Sequence, residues 1–136
     1  MILFENSLIK QDYDPHTDIL SVDLPTLSID DIRLVQQSLD AITESIRNYQ
    51  IKKLLLDPSK TKIVVTPDRV VDALSKFYVD IMQTNLEKIA RVRTIDFDRE
   101  MKINAVLDQM QLTYQFENFN TKDEAMTWLT NPASLS

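Results

Sequence analysis

Oxygen-bearing side chains at the ends of apolar segments are the residues most able to do chemistry in this chain. Asp57 closes the run Lys53-Leu-Leu-Leu-Asp57, Thr66 precedes Pro67-Asp68, and Asp96 and Asp98 follow Thr94. In an open α/β sheet, loops leaving the carboxyl ends of strands are where ligands bind. Asp57, Ser59, Thr66 and Asp96 would then form a polar crevice, joined by Thr61, Asp68, Thr94 and Asp98. Two of its carboxylates, Asp57 and Asp96, with water, would suit a divalent cation such as Mg²⁺. The simpler use of Thr66, Asp96 and Asp98 is to cap helices.

Other toolkits are missing. The 136 residues include no glycine, no cysteine and one histidine, His16. Glycine lets a backbone approach a phosphate or take a left-handed turn at little steric cost. Its absence excludes a P-loop, a G-x-G-x-x-G dinucleotide turn and a G-x-S-x-G nucleophile elbow. No thiol nucleophile or disulfide framework is possible. His16 sits in the polar stretch Asp14-Pro-His-Thr-Asp18 and reads as a solvated turn residue, since one histidine alone makes a poor metal site. No cofactor is expected, and no enzyme activity; the alternative is a carboxylate-based enzyme that uses the crevice at Asp57 and Asp96.

The net charge of −6 argues against a nucleic-acid partner or an anionic membrane surface. Met1-Ile-Leu-Phe-Glu5 has an acid where a signal peptide wants basic residues, and no apolar run is long enough to span a bilayer. A cytoplasmic location is the expectation. Length and composition suit one domain over residues 1–130, with a loose tail at 131–136.

Elements must position these residues. Leu20, Val22 and Leu24 alternate with polar residues, so Ser7–Tyr13 and Ile19–Leu24 read as an opening antiparallel pair. Ser28 and Asp31 cap a helix whose stripe Ile32, Val35, Leu39, Ile42, Ile46 and Tyr49 repeats every three or four residues. Lys53–Asp57 reads as a central strand covered on both faces. Thr66-Pro67-Asp68 starts a second helix burying Val70, Leu74, Phe77 and Ile81, with Asn85 as its left-handed stop. Ile89–Thr94 is a strand, and a third helix from Asp96 to Met110 turns Met101, Leu107 and Met110 inward. Leu112–Phe116 is the last strand, and Thr121-Lys-Asp-Glu124 caps a closing helix with Ala125, Trp128 and Leu129. The order β-β-α-β-α-β-α-β-α predicts an α/β fold: a mixed, mostly parallel sheet of about five strands with four helices.

That order resembles the STAS superfamily, and most of all its SpoIIAA-like (STAS/SEC14-type) group of small bacterial proteins. The likeness rests on Leu54-Leu-Leu-Asp57 leading through a loop to a capped helix, and on the ending Phe119-Asn-Thr-Lys-Asp-Glu-Ala-Met-Thr-Trp128-Leu129. It implies a non-enzymatic regulatory module with a protein partner. In switch-type members a partner kinase phosphorylates a hydroxyl after the strand ending in Asp, which would make Thr66 the phosphoacceptor. Here Val64-Val-Thr-Pro-Asp-Arg69 replaces the family's Asp-Ser-Ser-Gly-like run, and the loop is longer. The SEC14-type likeness also allows a carrier of lipid-like molecules.

Three further patterns stand beside it. Asp57 with Thr94 resembles a receiver-domain phosphoacceptor pair, but Asp12 and Asp14 fall in a hairpin and no lysine of the right kind follows Phe116. Arg91 and Arg93, with Lys52 and Lys53, would suit an anion, or would serve as gatekeeping charge on strands. The trio Phe77-Tyr78-Val79 is apolar in three successive directions around one helix, which predicts a dimer or partner surface there, formed by Phe77, Tyr78 and Met82, with a small apolar ligand as the other occupant. Met101, Met110 and Trp128 would be core or join such a pocket.

Overall fold

The computed structural model describes residues 1–6, 9–23, 32–58, 68–93 and 97–130, excluding the side chains of 68–71, 97–99 and 103. These residues form a six-stranded mixed sheet and four helices. The strands are β1 (Ile2–Glu5), β2 (Lys10–Asp14), β3 (Ile19–Asp23), β4 (Lys53–Asp57), β5 (Lys88–Val92) and β6 (Gln115–Phe119). The helices are α1 (Ile32–Tyr49), α2 (Asp68–Ile81), α3 (Phe97–Asp108) and α4 (Lys122–Thr130).

Strand order follows chain order, β1 to β6. β1–β2 and β2–β3 pair antiparallel, and β3 through β6 pair parallel. The sheet is therefore partly antiparallel rather than mostly parallel, and it has one strand more than expected. The extra strand is β1, whose register slips between Ile2 and Phe4, so its apolar residues show no period of two.

Each α-helical crossover from β3 to β6 steps one strand in the same direction. Crossovers of one hand then leave α1, α2 and α3 on the same face. That face holds the larger core: Leu20, Val22, Leu54, Leu56 and Ile89 from the sheet, packed by Val35, Ile42, Ile46, Phe77, Ile81 and Leu107. The opposite face carries a smaller core, in which Ile19, Leu55, Ala90 and Val92 meet Ala125 and Leu129 of α4. β4 is buried on both faces, as its unbroken apolar run requires.

Helix α1 follows its sequence stripe from Ile32 to Ile46, but Tyr49, the last expected member, is 52% exposed. The helix ends at Gln50, which takes a left-handed φ of 53°, while the Ile51 amide donates back to the Ile46 carbonyl at 3.0 Å. This is the Schellman arrangement without its usual glycine. Asn85 is not left-handed. After α2 the chain tightens instead, with the Thr84 amide donating to Ile81 at 3.1 Å and the Thr84 hydroxyl donating to the same carbonyl. Asn85 donates from its side chain to the Gln50 carboxamide, tying the two helix ends together.

The capping box at α4 is present: the Glu124 amide donates to the Thr121 hydroxyl at 3.2 Å, and that hydroxyl donates to the Glu124 carboxylate. Ser28, Asp31, Thr66 and the tail 131–136 lie outside the described residues. No helix among the described residues is long and apolar enough to cross a membrane.

Candidate functional site

Parity along the strands decides what meets at the carboxyl edge of the sheet. Asp23 ends β3 and Asp57 ends β4, and the two are register partners. Side chains in register on adjacent parallel strands share a face, about 4.8 Å apart. Asp23 and Asp57 thus stand side by side on the α4 face. Lys122, at the start of α4, reaches Asp23 with its Nζ 3.9 Å from Oδ1. Asp57 is 7% exposed, whereas Asp23 and Lys122 are near solvent. Of the expected crevice, only Asp57 is placed. Ser59, Thr66 and Asp96 lie outside the described residues, as do Thr61, Thr94 and the side chains of Asp68 and Asp98.

The same edge looks different on the other face. Arg91 lies one step after Ala90, so it points with Ile89 toward α2 and α3. It is buried and meets the carboxylate of Glu100 on α3 in a two-pronged pair, 2.6 Å from Nη1 to Oε1 and 2.8 Å from Nη2 to Oε2. Nη1 also donates to Asn118 Oδ1 at 3.4 Å. Burial works against the Arg91 charge, but the hydrogen bond to Glu100, with the neighbouring charges, holds its pKa above the ordinary value. Tyr78 is packed beside the pair. Burial raises its pKa, Arg91 pulls it down and Glu100 pushes it up. Arg93 is exposed and donates to Asn120 at 3.1 Å. The arginine pair of the sequence therefore splits into one internal ion pair and one surface contact.

A groove of about 150 Å³ opens between α1 and α2, lined by Gln36, Leu39, Asp40, Ala73, Lys76 and Phe77. Lys76 on its rim reaches Asp80 at 2.8 Å and Asp40 at 3.9 Å. These two carboxylates raise the lysine pKa, the hydrogen bond to Asp80 first. Phe77 and Tyr78, expected as an exposed partner surface, are each 2% exposed in this chain. The register of α2 turns both inward, with Tyr78 edge-on to Phe116 at 5.9 Å. Phe77 keeps contact with the groove as a lining residue, Met82 is half-buried, and Val79 is the exposed member of the trio. Met101, expected inward, is 56% exposed.

On the α4 face, Lys88 is buried with its Nζ 4.8 Å from the Trp128 ring centre, a cation–π contact. Burial lowers its pKa, the neighbouring Lys53 charge lowers it further, and Glu87 acts the other way. Lys53 donates to the Thr17 carbonyl at 3.4 Å. His16 is exposed in its turn, its amide donating to Asp14 Oδ1 at 2.9 Å. No cluster of three or more metal-ligating side chains occurs among the described residues.

Sequence reasoning missed Asp23, Lys122 and Glu100. The signal for Asp23 was present, because Val22-Asp23 ends its strand just as Leu56-Asp57 does. Glu100 was readable as the acid that a buried Arg91 must find. Lys122 had no local signal, since its reach to Asp23 depends on how α4 crosses the sheet. No protein-family model matches this chain, and no curated protein matches it.

Proposed function

We propose that this chain is a non-enzymatic α/β binding module, of the kind its resemblance to STAS domains suggests, and that its partner docks on the groove between α1 and α2. The observation that carries this reading is the groove itself. Leu39, Ala73 and Phe77 give it an apolar floor, and Gln36, Asp40 and Lys76 a polar rim. An apolar centre inside a polar rim is the anatomy of a protein–protein contact. Its volume of about 150 Å³ argues against a carrier. Small-molecule sites usually run from about 300 Å³ upward, whereas a single anchoring side chain needs far less.

A second copy of the chain is the partner to test first. Sedimentation equilibrium, with amide NMR spectra across a concentration series, should show a reversible dimer and shifts confined to the groove residues. Lys76→Glu places a third acid on the rim beside Asp40 and Asp80 and should weaken self-association. A chain that stays monomeric, with unchanged spectra at high concentration, overturns the homodimer reading.

One observation favours a second reading. The in-register carboxylates of Asp23 and Asp57 support a divalent-cation or carboxylate-based enzyme site at the sheet edge, with Asp23 standing where Asp96 was expected. Two carboxylates plus water suffice for Mg²⁺. Mn²⁺ should then broaden amide signals around Asp23 and Asp57 selectively, and Asp57→Asn should remove the effect. Uniform broadening across the chain refutes it.

A further inference from the structure

Helix α3 is attached to the fold in an unusual way. Among its described side chains only Glu100 and Leu107 are buried, while α1 buries seven. Met101 and Ala105 face solvent. Among the described side chains its buried anchors are thus Leu107 in the core and one carboxylate on one guanidinium.

A buried ion pair is a weak stability device, because desolvating both charges offsets most of their attraction. As a recognition device it is strong. The guanidinium fork matches a carboxylate prong for prong. Arg91 presents that fork near the carboxyl end of β5, on the edge of the sheet where open α/β folds bind ligands. Asn118 on β6 accepts from Nη1 and helps fix the fork in place.

We propose that Arg91, oriented by Asn118, is the anion-recognising residue of a site for a small-molecule carboxylate. In the structure Glu100 fills that site as an internal occupant. A free carboxylate takes the Glu100 position on the fork when α3 swings outward about its Leu107 anchor. Binding and α3 release are then one equilibrium: ligand selects the open form, and the open form is the one that binds. The apparent affinity is reduced by the fraction of time the site is open. A site open about a tenth of the time binds about tenfold more weakly than one held open.

Propionate, which has the length and charge of the glutamate side chain, is the probe. Hydrogen exchange on the wild-type chain should show residues 97–108 losing protection saturably as propionate rises into the millimolar range, the range for so small a ligand. Sodium chloride at equal ionic strength should leave them protected. Glu100→Ala should bind propionate at least tenfold more tightly by calorimetry, because nothing need be displaced. Arg91→Lys keeps the charge, loses the fork and should abolish the wild-type response. Asn118→Leu should weaken it. If Glu100→Ala takes up propionate while the wild-type α3 amides show no saturable change, the pair is structural only and the proposal fails. If Glu100→Ala does not fold, the wild-type exchange experiment still decides.

Discussion

Gln11 supports a sharp stability prediction. It lies in β2, fully buried at 0% exposure, opposite Val22 and beside Phe4 in the register of the sheet. All three side chains point toward the α1 face. Neither its Oε1 nor its Nε2 has a hydrogen-bond partner among the described residues. Nearby polar groups are satisfied: Asn6 donates to Ser38, and Ser38 donates to the Leu34 carbonyl. An amide buried without a partner costs about 1–3 kcal/mol. Methionine has nearly the same length and shape and no such cost. Gln11→Met should therefore stabilise the chain by about 1–3 kcal/mol, a large share of the 5–15 kcal/mol typical of a domain. At about 2–4 °C per kcal/mol for a chain of this size, Tm should rise by about 2–12 °C. In urea, followed by circular dichroism, the midpoint should move up with the slope unchanged. Gln11→Glu should do the opposite, since it buries a charge or forces a proton onto the carboxyl. A midpoint that falls in Gln11→Met would show that the amide is satisfied in solution, and the reasoning would be refuted.

Leu55, fully buried against α4, should cost about 2–5 kcal/mol when cut to alanine, measured by the same urea titration. Glu100→Leu alone strands the buried Arg91 charge and should cost about 3–5 kcal/mol; adding Arg91→Met should restore most of that in a double-mutant cycle. Gln50→Val should cost about 1–3 kcal/mol in thermal melts, because a β-branched residue resists the left-handed φ of 53° there. Alkaline pH should unfold the chain. Tyr13 is pushed up to about 12 by burial and by its hydrogen bond to Asp18, and burial also raises Tyr78 and Tyr114. Above the ordinary phenol value of 10.0 the unfolded chain loses these protons first, so stability falls as pH rises from 10 toward 12. Tyrosinate absorbance from Tyr13, Tyr78 and Tyr114 should rise together with the loss of helical signal, and a separate, earlier titration of these three would contradict this.

What could be read from the sequence followed how local its cause was. The α1 stripe as far as Ile46, the β4 run and the Thr121–Glu124 cap each depend on neighbours within a few positions, and each is present. β1 was invisible because a four-residue strand with a register slip has no periodicity to read. β6 begins at Gln115 rather than Leu112 because Tyr114 is used otherwise, its hydroxyl donating to the Tyr78 carbonyl at 3.1 Å. At α3 an apolar pattern led wrongly to Met101, because the helix turns a charged residue inward. Hydrophobic period cannot report an anchor made by Glu100 with Arg91.

The candidate site was half legible for the same reason. Asp57 follows from its own strand, but its partner Asp23 comes from a strand 34 positions earlier and is selected by register alone. Parity then separates chemistry by face. Asp23 and Asp57 point to the α4 side, and Arg91 points to the α1–α3 side, although all three lie near one edge of the sheet. A carboxylate ligand on Arg91 and a cation on Asp57 would therefore sit on opposite faces, with the sheet between them. The two sites would respond independently: Asp57→Asn should leave propionate binding unchanged, and Arg91→Lys should leave Mn²⁺ broadening unchanged. Coupling between them would require the sheet itself to deform, and β4, buried on both faces, is the strand least free to do so.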